Sequence, residues 1–97
     1  MCGRYFLNIA LDELENRYGI SNIPEEIKEY QGEIFPSNEA PVVFNKAQKK
    51  SIGLMNWGFR PSYSNSLVIN ARSETVHQKN LFKESFHRRR CIIPATG

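Results

Sequence analysis

Cysteine, histidine and tryptophan are scarce in this chain of 97 residues, with 2, 2 and 1 copies. Cys2 and Cys91 lie at opposite ends, a spacing that builds neither a disulfide framework nor a paired metal-ligand motif, so reduced thiols and no metal or cofactor are expected. No apolar run approaches the roughly 20 residues that span a bilayer. No positively charged leader precedes an apolar stretch, and a cytoplasmic protein is expected. Acidic residues are nearly missing from one half. Residues 46–97 hold two Asp/Glu against ten Lys/Arg, a surplus of eight positive charges, whereas residues 1–45 hold eight against three. The net charge of +3 hides this separation. A basic face of this kind attracts polyanions, of which nucleic acid is the commonest in the cytoplasm, although a solvated helix with outward charges would have the same composition.

What is present is a globular composition, 40% hydrophobic and 24% charged, suited to one domain or a piece of one. A domain of this size buries only about two thirds of its unfolded surface. The segment Cys91-Ile92-Ile93-Pro94-Ala95-Thr96-Gly97 reads as a strand interrupted, so residues 1–97 are expected to be the N-terminal portion of a single domain whose sheet is incomplete.

Asn8 as N-cap, Asp12 and Glu13 in the first turn, apolar spacing at Leu11, Leu14 and Tyr18, and Gly19 beyond Arg17 predict a short amphipathic helix. Residues 21–39 read as a loop with one helical turn around residues 25–30. Residues 41–44 and 51–59 predict a hairpin across a polar turn at 45–50, with Ile52 and Leu54 on one face and Met55, Trp57 and Phe59 on the other. Leu67-Val68-Ile69 reads as a buried strand delivering Asn70-Ala71-Arg72, after which Ser73 caps a helical stretch over 74–90 with Leu81, Phe82 and Phe86 as its apolar stripe. Residues 91–95 form the last predicted strand. The class is therefore α+β, with mostly antiparallel strands.

Cys2 is the first candidate for chemistry. Removal of Met1 leaves an α-amine and a thiol on one residue. The amine, with a reference pKa of about 7.7 to 8.0, is partly unprotonated at neutral pH, whereas a lysine near 10.4 is not. Such an amine attacks an aldehyde, and the neighbouring thiol can close the Schiff base to a thiazolidine. Cys2 could instead be only a small residue near the terminus.

Five segments carry a resemblance over residues 1–97: Met1-Cys2-Gly3-Arg4-Tyr5; Phe35-Pro36-Ser37 with Ala40-Pro41-Val42; Met55 to Pro61; Asn70-Ala71-Arg72-Ser73-Glu74-Thr75; and Arg89 to Gly97. In this order they resemble the SOS response-associated peptidase (SRAP) family. The resemblance implies a mostly antiparallel, barrel-like fold with short flanking helices. It also implies a sensor of abasic sites in single-stranded DNA that forms a covalent thiazolidine crosslink through Cys2, nucleoid-associated at damaged DNA. Alternatives are a cysteine peptidase that processes its own Met1, or a noncatalytic single-stranded DNA-binding module.

The same resemblance assigns Asn70 a place beside the cysteine, where its amide would orient the amine or a sugar hydroxyl. Asn70 could instead simply end a strand through local backbone bonds. Arg72 and Arg4 are the implied phosphate ligands, with a surface ion pair as the alternative for either. Trp57 and Phe59 are the implied aromatic wedge beside the lesion, against the alternative that they are core. Pro36 is expected to shape the floor of the same pocket. The Arg88-Arg89-Arg90 run either complements a helix dipole or binds DNA backbone, and the dipole is favoured for at least one of the three. His77 and His87 are expected as exposed helix residues, and Cys91 as a buried thiol. Three positions depart from the family pattern: Asn56 before Trp57, Arg60 where an aliphatic residue is common, and Tyr63 in place of Trp. Family members continue into an aromatic-Glu-Trp segment and a His-x-Arg-Met-Pro segment that supply acid-base groups, and residues 1–97 contain neither.

Overall fold

The computed structural model describes residues 3–21, 23–28 and 31–97, without the side chains of Leu11 and Lys28. The chain order is β1 (Tyr5–Leu7), α1 (Leu11–Tyr18), α2 (Glu25–Lys28), β2 (Gly32–Ile34), β3 (Glu39–Lys46), β4 (Lys49–Asn56) and α3 (Lys83–Arg88). The strands make two antiparallel pairs, β1 with β2 and β3 with β4, flanked by short helices. This is the expected α+β class. Among the described residues the strands do not close into a barrel: β1–β2 and β3–β4 remain separate sheets.

The β3–β4 hairpin is the framework. Its eight rungs run from Glu39 opposite Asn56 to Lys46 opposite Lys49. That register leaves a two-residue turn, Ala47-Gln48, tighter than the predicted 45–50 loop. Both turn residues have positive φ, 51° and 65°, as a turn matched to the right-handed strand twist requires. Alanine and glutamine have none of glycine's freedom there. Pro41 fits inside β3 because of the hydrogen-bond alternation. The N–H and C=O of Val43 bond to Ile92 on the outer side, at 2.9 and 2.8 Å. Pro41, two residues earlier, therefore turns its missing donor away from β4.

Burial on the hairpin joins two apolar clusters. Val43 and Ile52 pack with Leu14, Ile20, Ile23 and Ile27, which brings both N-terminal helices onto the hairpin. Leu7, Ile34 and Ala40 form the second cluster, and Ile9 packs against both. Leu7 and Ile34 are each only 1% exposed, so the three-residue strands β1 and β2 are anchored by one buried side chain apiece. Outside these clusters Phe6, Phe35, Met55, Ile92 and Ile93 stay largely exposed.

Several local expectations are corrected. Helix α1 is capped at Ala10, without a side-chain bond. Asn8 lies two residues before that cap, and its backbone N–H donates to Thr96 Oγ1 at 2.9 Å. At the other end Gly19 adopts φ 65° and its N–H bonds to Glu15 O, the expected left-handed stop. The helix predicted over 74–90 shrinks to residues 83–88. Before it lie isolated turns in which Thr75 and Val76 N–H bond Arg72 O. β-branched Thr75 and Val76 and the Asn80 break are poor helix formers. Ser73 Oγ bonds Glu74 Oε1 and caps nothing. Residues 67–69 and 91–95 are not strands but single bridges, Val68 to Phe59 and Ile92 to Val43, and Leu67, Val68 and Ile69 are half-buried.

Two substitutions probe these backbone constraints. Gly58 has φ 111°, and a Cβ there would lie 2.5 Å from Leu67 Cγ. Gly58→Ala should therefore destabilise the chain by about 2–3 kcal/mol, read as a lowered urea midpoint. Gln48→Gly, which relieves the turn, should raise stability by about 0.5–1 kcal/mol in the same assay.

Candidate nucleic-acid interface

The β4 strand ends at Asn56, and the residues after it build the site. Trp57 is held from both sides of its peptide: its N–H donates to Asn38 O at 3.0 Å, and its C=O accepts from Ser37 N–H at 2.9 Å. Asn38 Oδ1 in turn accepts from Phe35 N–H at 3.0 Å, which closes the Phe35–Asn38 turn and explains why Ser37 holds φ 75°. Tyr5 packs its ring on Trp57 with centroids 5.6 Å apart. Half-buried Pro36 thus belongs to the turn that fixes Trp57, and β1 lies against the same indole.

Gly58 bends the chain, and Phe59 pairs in both directions with Val68, at 2.8 and 2.9 Å. The Phe59 ring meets Phe82 edge-on at 5.2 Å, an arrangement that aromatic quadrupoles favour. This clamp brings the Asn70 segment and the α3 region up to the end of the hairpin. Between them runs an open groove of about 560 Å³ whose walls include Trp57, Phe59, Asn70, Phe86, Arg89 and Arg90. That volume suits a small-molecule or nucleotide-sized group. A second hollow shares Asn70 and Phe82 with it and adds Tyr63, Arg72 and Lys79. Tyr63 is 81% exposed.

Of the residues singled out from the sequence, Trp57, Phe59 and Asn70 meet on one groove, and Arg72 joins Asn70 in the adjoining hollow. Arg4 does not line either. Its guanidinium forms a surface ion pair with Glu33 Oε1 at 3.2 Å. Cys2 lies outside the described residues. The arginine run divides its labour. Arg90 Nε donates to Phe86 O at 2.6 Å, satisfying a carbonyl of the last turn of α3, and its guanidinium stacks 4.5 Å over the Phe86 ring. Arg89 reaches Glu84 at 3.9 Å in an exposed pair that contributes little. Arg90 thus serves the helix end, as favoured for one of the three. His87 is exposed on α3, with Nε2 3.3 Å from His77 O, whereas exposed His77 sits in a turn and not on a helix.

Cys91 corrects another expectation. It is an exposed free thiol on the groove wall, not a buried one, because the strand it was expected to open is only a bridge at Ile92. Packing around the sulfur still takes it partly out of water, and this burial raises the thiol pKa. Among the described residues no three His, Cys, Asp or Glu side chains converge to hold a metal ion, and no helix is long and apolar enough to cross a membrane. Sequence reasoning missed the structural part of Tyr5 and of the Phe35–Asn38 turn. The run of turn formers Pro36-Ser37-Asn38 was a usable signal.

The α+β scaffold thus presents a basic, aromatic-walled groove at the end of the hairpin. The sequence model of the SOS response associated peptidase (SRAP) family matches residues 1–97, and the chain belongs to that family. It is 30% identical over 98% of its length to the abasic site processing protein YoaM of Bacillus subtilis, covering 44% of that protein. It is also 30% identical to YoqW of the same organism, covering 45%, and 29% identical to YobE, covering 46%; both are likewise named abasic site processing proteins. The chain thus spans a little under half the length of these relatives. No solved structure gives a significant match.

Burial of the Cys91 sulfur has a measurable sign. Its thiolate should form at higher pH than that of an unstructured cysteine peptide, since desolvation disfavours the charged form. In a Cys2→Ser background the iodoacetamide reaction rate should rise with pH along a curve displaced upward from the peptide's, and the displacement should vanish in urea.

Proposed function

We propose that this chain is the N-terminal portion of a single SRAP domain that processes abasic sites in single-stranded DNA by trapping them covalently on Cys2. Removal of Met1 frees the α-amine. The amine attacks the aldehyde carbon of the ring-opened sugar and water leaves, giving a Schiff base. The thiol then adds across the C=N bond, sulfur to carbon and proton to nitrogen, and closes a thiazolidine. No cofactor enters these steps.

The observation that carries this reading is the meeting of Trp57, Phe59 and Asn70 on one groove, in a family whose relatives are named for abasic-site processing. Bases flanking a lesion can stack on exposed aromatic faces, and a missing base leaves a gap that an apolar wedge fills. The Asn70 amide supplies donors and an acceptor at the groove wall, suited to a sugar hydroxyl or the attacking amine. Tyr5, on the wall of Trp57, is three residues from Cys2, a tether of at most about 11 Å. Arg72 beside Asn70 offers a bidentate fork to the adjacent phosphate. Arg4 reaches a phosphate by exchanging partners, because an exposed pair such as Arg4–Glu33 contributes only about 0–1 kcal/mol. The acid-base Glu and His expected in longer family members are absent from residues 1–97, so these residues contribute the nucleophile and the positioning groups of the reaction.

The test is a denaturing gel of the protein incubated with a single-stranded oligonucleotide bearing one abasic site. Wild type should yield a slow-migrating covalent band. Cys2→Ala and an Nα-acetylated protein should yield none, and Asn70→Ala should slow its appearance by about 100-fold. A Cys2→Ala variant that crosslinks as fast as wild type overturns the mechanism.

A further inference from the structure

We infer that the lesion groove is one end of a longer phosphate track, which follows the hairpin to Lys46, Lys49 and Lys50 and holds the backbone of the undamaged strand beside the lesion. The inference rests on the reading of the groove as a single-stranded DNA site and extends it to residues that reading does not use.

The groove does not stop at α3. Past Arg89, Arg90 and Cys91 it opens into a hollow against Phe44 and Asn45 of β3. Phe44, Arg90 and Cys91 also line a further hollow reaching Tyr18 and Lys50. Tyr18, Phe44 and Lys50 then open onto the hairpin tip with Lys46 and Lys49. Neighbouring hollows thus share lining residues and form a series from the Arg72 segment past the end of α3 to the hairpin, with cations on the wall of each. Of the described residues lining them, none is acidic, although the chain has 10 Asp/Glu. A succession of cationic hollows with aromatic side chains along it suits a groove that tracks a nucleic-acid backbone.

The tip itself is built against its own stability. Lys46 stands directly opposite Lys49, and like charges in a cross-strand pair repel. Neither these lysines nor Lys50 has an acidic partner among the described residues, and the two residues between the strands are held at positive φ without a glycine. A sequence selected only for a stable hairpin would place opposite charges across the pair. Phosphates lying along the tip would offset the repulsion and release counterions from it.

The experiment measures equilibrium binding of undamaged single-stranded oligonucleotides of about 4 and about 12 nucleotides, the range of site sizes for such grooves, as a function of salt. The variants are Lys46→Ala/Lys49→Ala/Lys50→Ala and the corresponding triple Lys→Arg. For single strands each neutralised phosphate contributes about 0.7 to the slope of log K against log salt. The triple alanine variant should therefore lose about 2 from that slope on the longer oligonucleotide, and bind it about 10- to 100-fold more weakly at 0.1 M salt. It should match wild type on the short one, and the triple arginine variant should keep the wild-type slope. An unchanged slope on the long oligonucleotide, or an equal loss on both lengths, overturns the track. Abasic-site crosslinking is scored in parallel. A missing Cys2-dependent band with a lysine-dependent slope overturns the trapping reading and leaves the track standing, and the converse pair of results removes only the track.

Discussion

The pairing of β3 with β4 is the constraint on which everything else rests. Its eight rungs place Val43 and Ile52 directly opposite each other, and those two side chains gather the helices into one cluster. A register slip of one residue would turn this pair to the other face and empty the core. The same register decides where Asn56 ends the strand, and hence where Trp57 and Phe59 emerge. Position at the site is thus inherited from packing made farther back along the hairpin, at Val43 and Ile52.

Elements whose signal lay in a continuous stretch of residues were legible from the sequence. Helix α1 and its Gly19 stop followed from apolar spacing, and the hairpin from alternation at Ile52 and Leu54. The grouping of Asn70 with Arg72, and of Trp57 with Phe59, rested on family motifs, and Trp57, Phe59 and Asn70 line one groove. What escaped were contacts made over distance by very short segments. Strands β1 and β2 hold three residues each, too few for a period of two to declare itself, and they exist because Leu7 and Ile34 share one buried cluster. The 74–90 stretch misled for the opposite reason. Its apolar stripe is real, but Phe82 turns out to face Phe59 across the groove and not along a single long helix. Arg4 shows a third kind of limit, since nothing in the motif around it announces that Glu33 will be its neighbour across the sheet.

Charge and aromatic surface are arranged so that each supports the other. Arg90 commits its guanidinium to the Phe86 face and the carbonyl beneath it, which stiffens the wall of the groove while leaving a positive edge toward it. The Tyr5–Trp57 contact does the equivalent at the other end. Preformed walls lower the ordering cost of binding, so the groove combines positive charge with a preformed shape.

The contact between Phe6 and the last two residues has a temporal consequence. Phe6 O accepts from Thr96 N–H at 2.7 Å, and Phe6 N–H donates to Gly97 O at 2.8 Å, a closure spanning nearly the whole chain. Loops of this length close late, because their entropy is lost before any contact rewards it. During synthesis from the N-terminus, β1 must wait unzipped on its outer edge until residue 97 has left the ribosome. Closure of the β1 edge is thus placed late among the elements of residues 1–97, by the topology of the backbone bonds between Phe6 and residues 96–97.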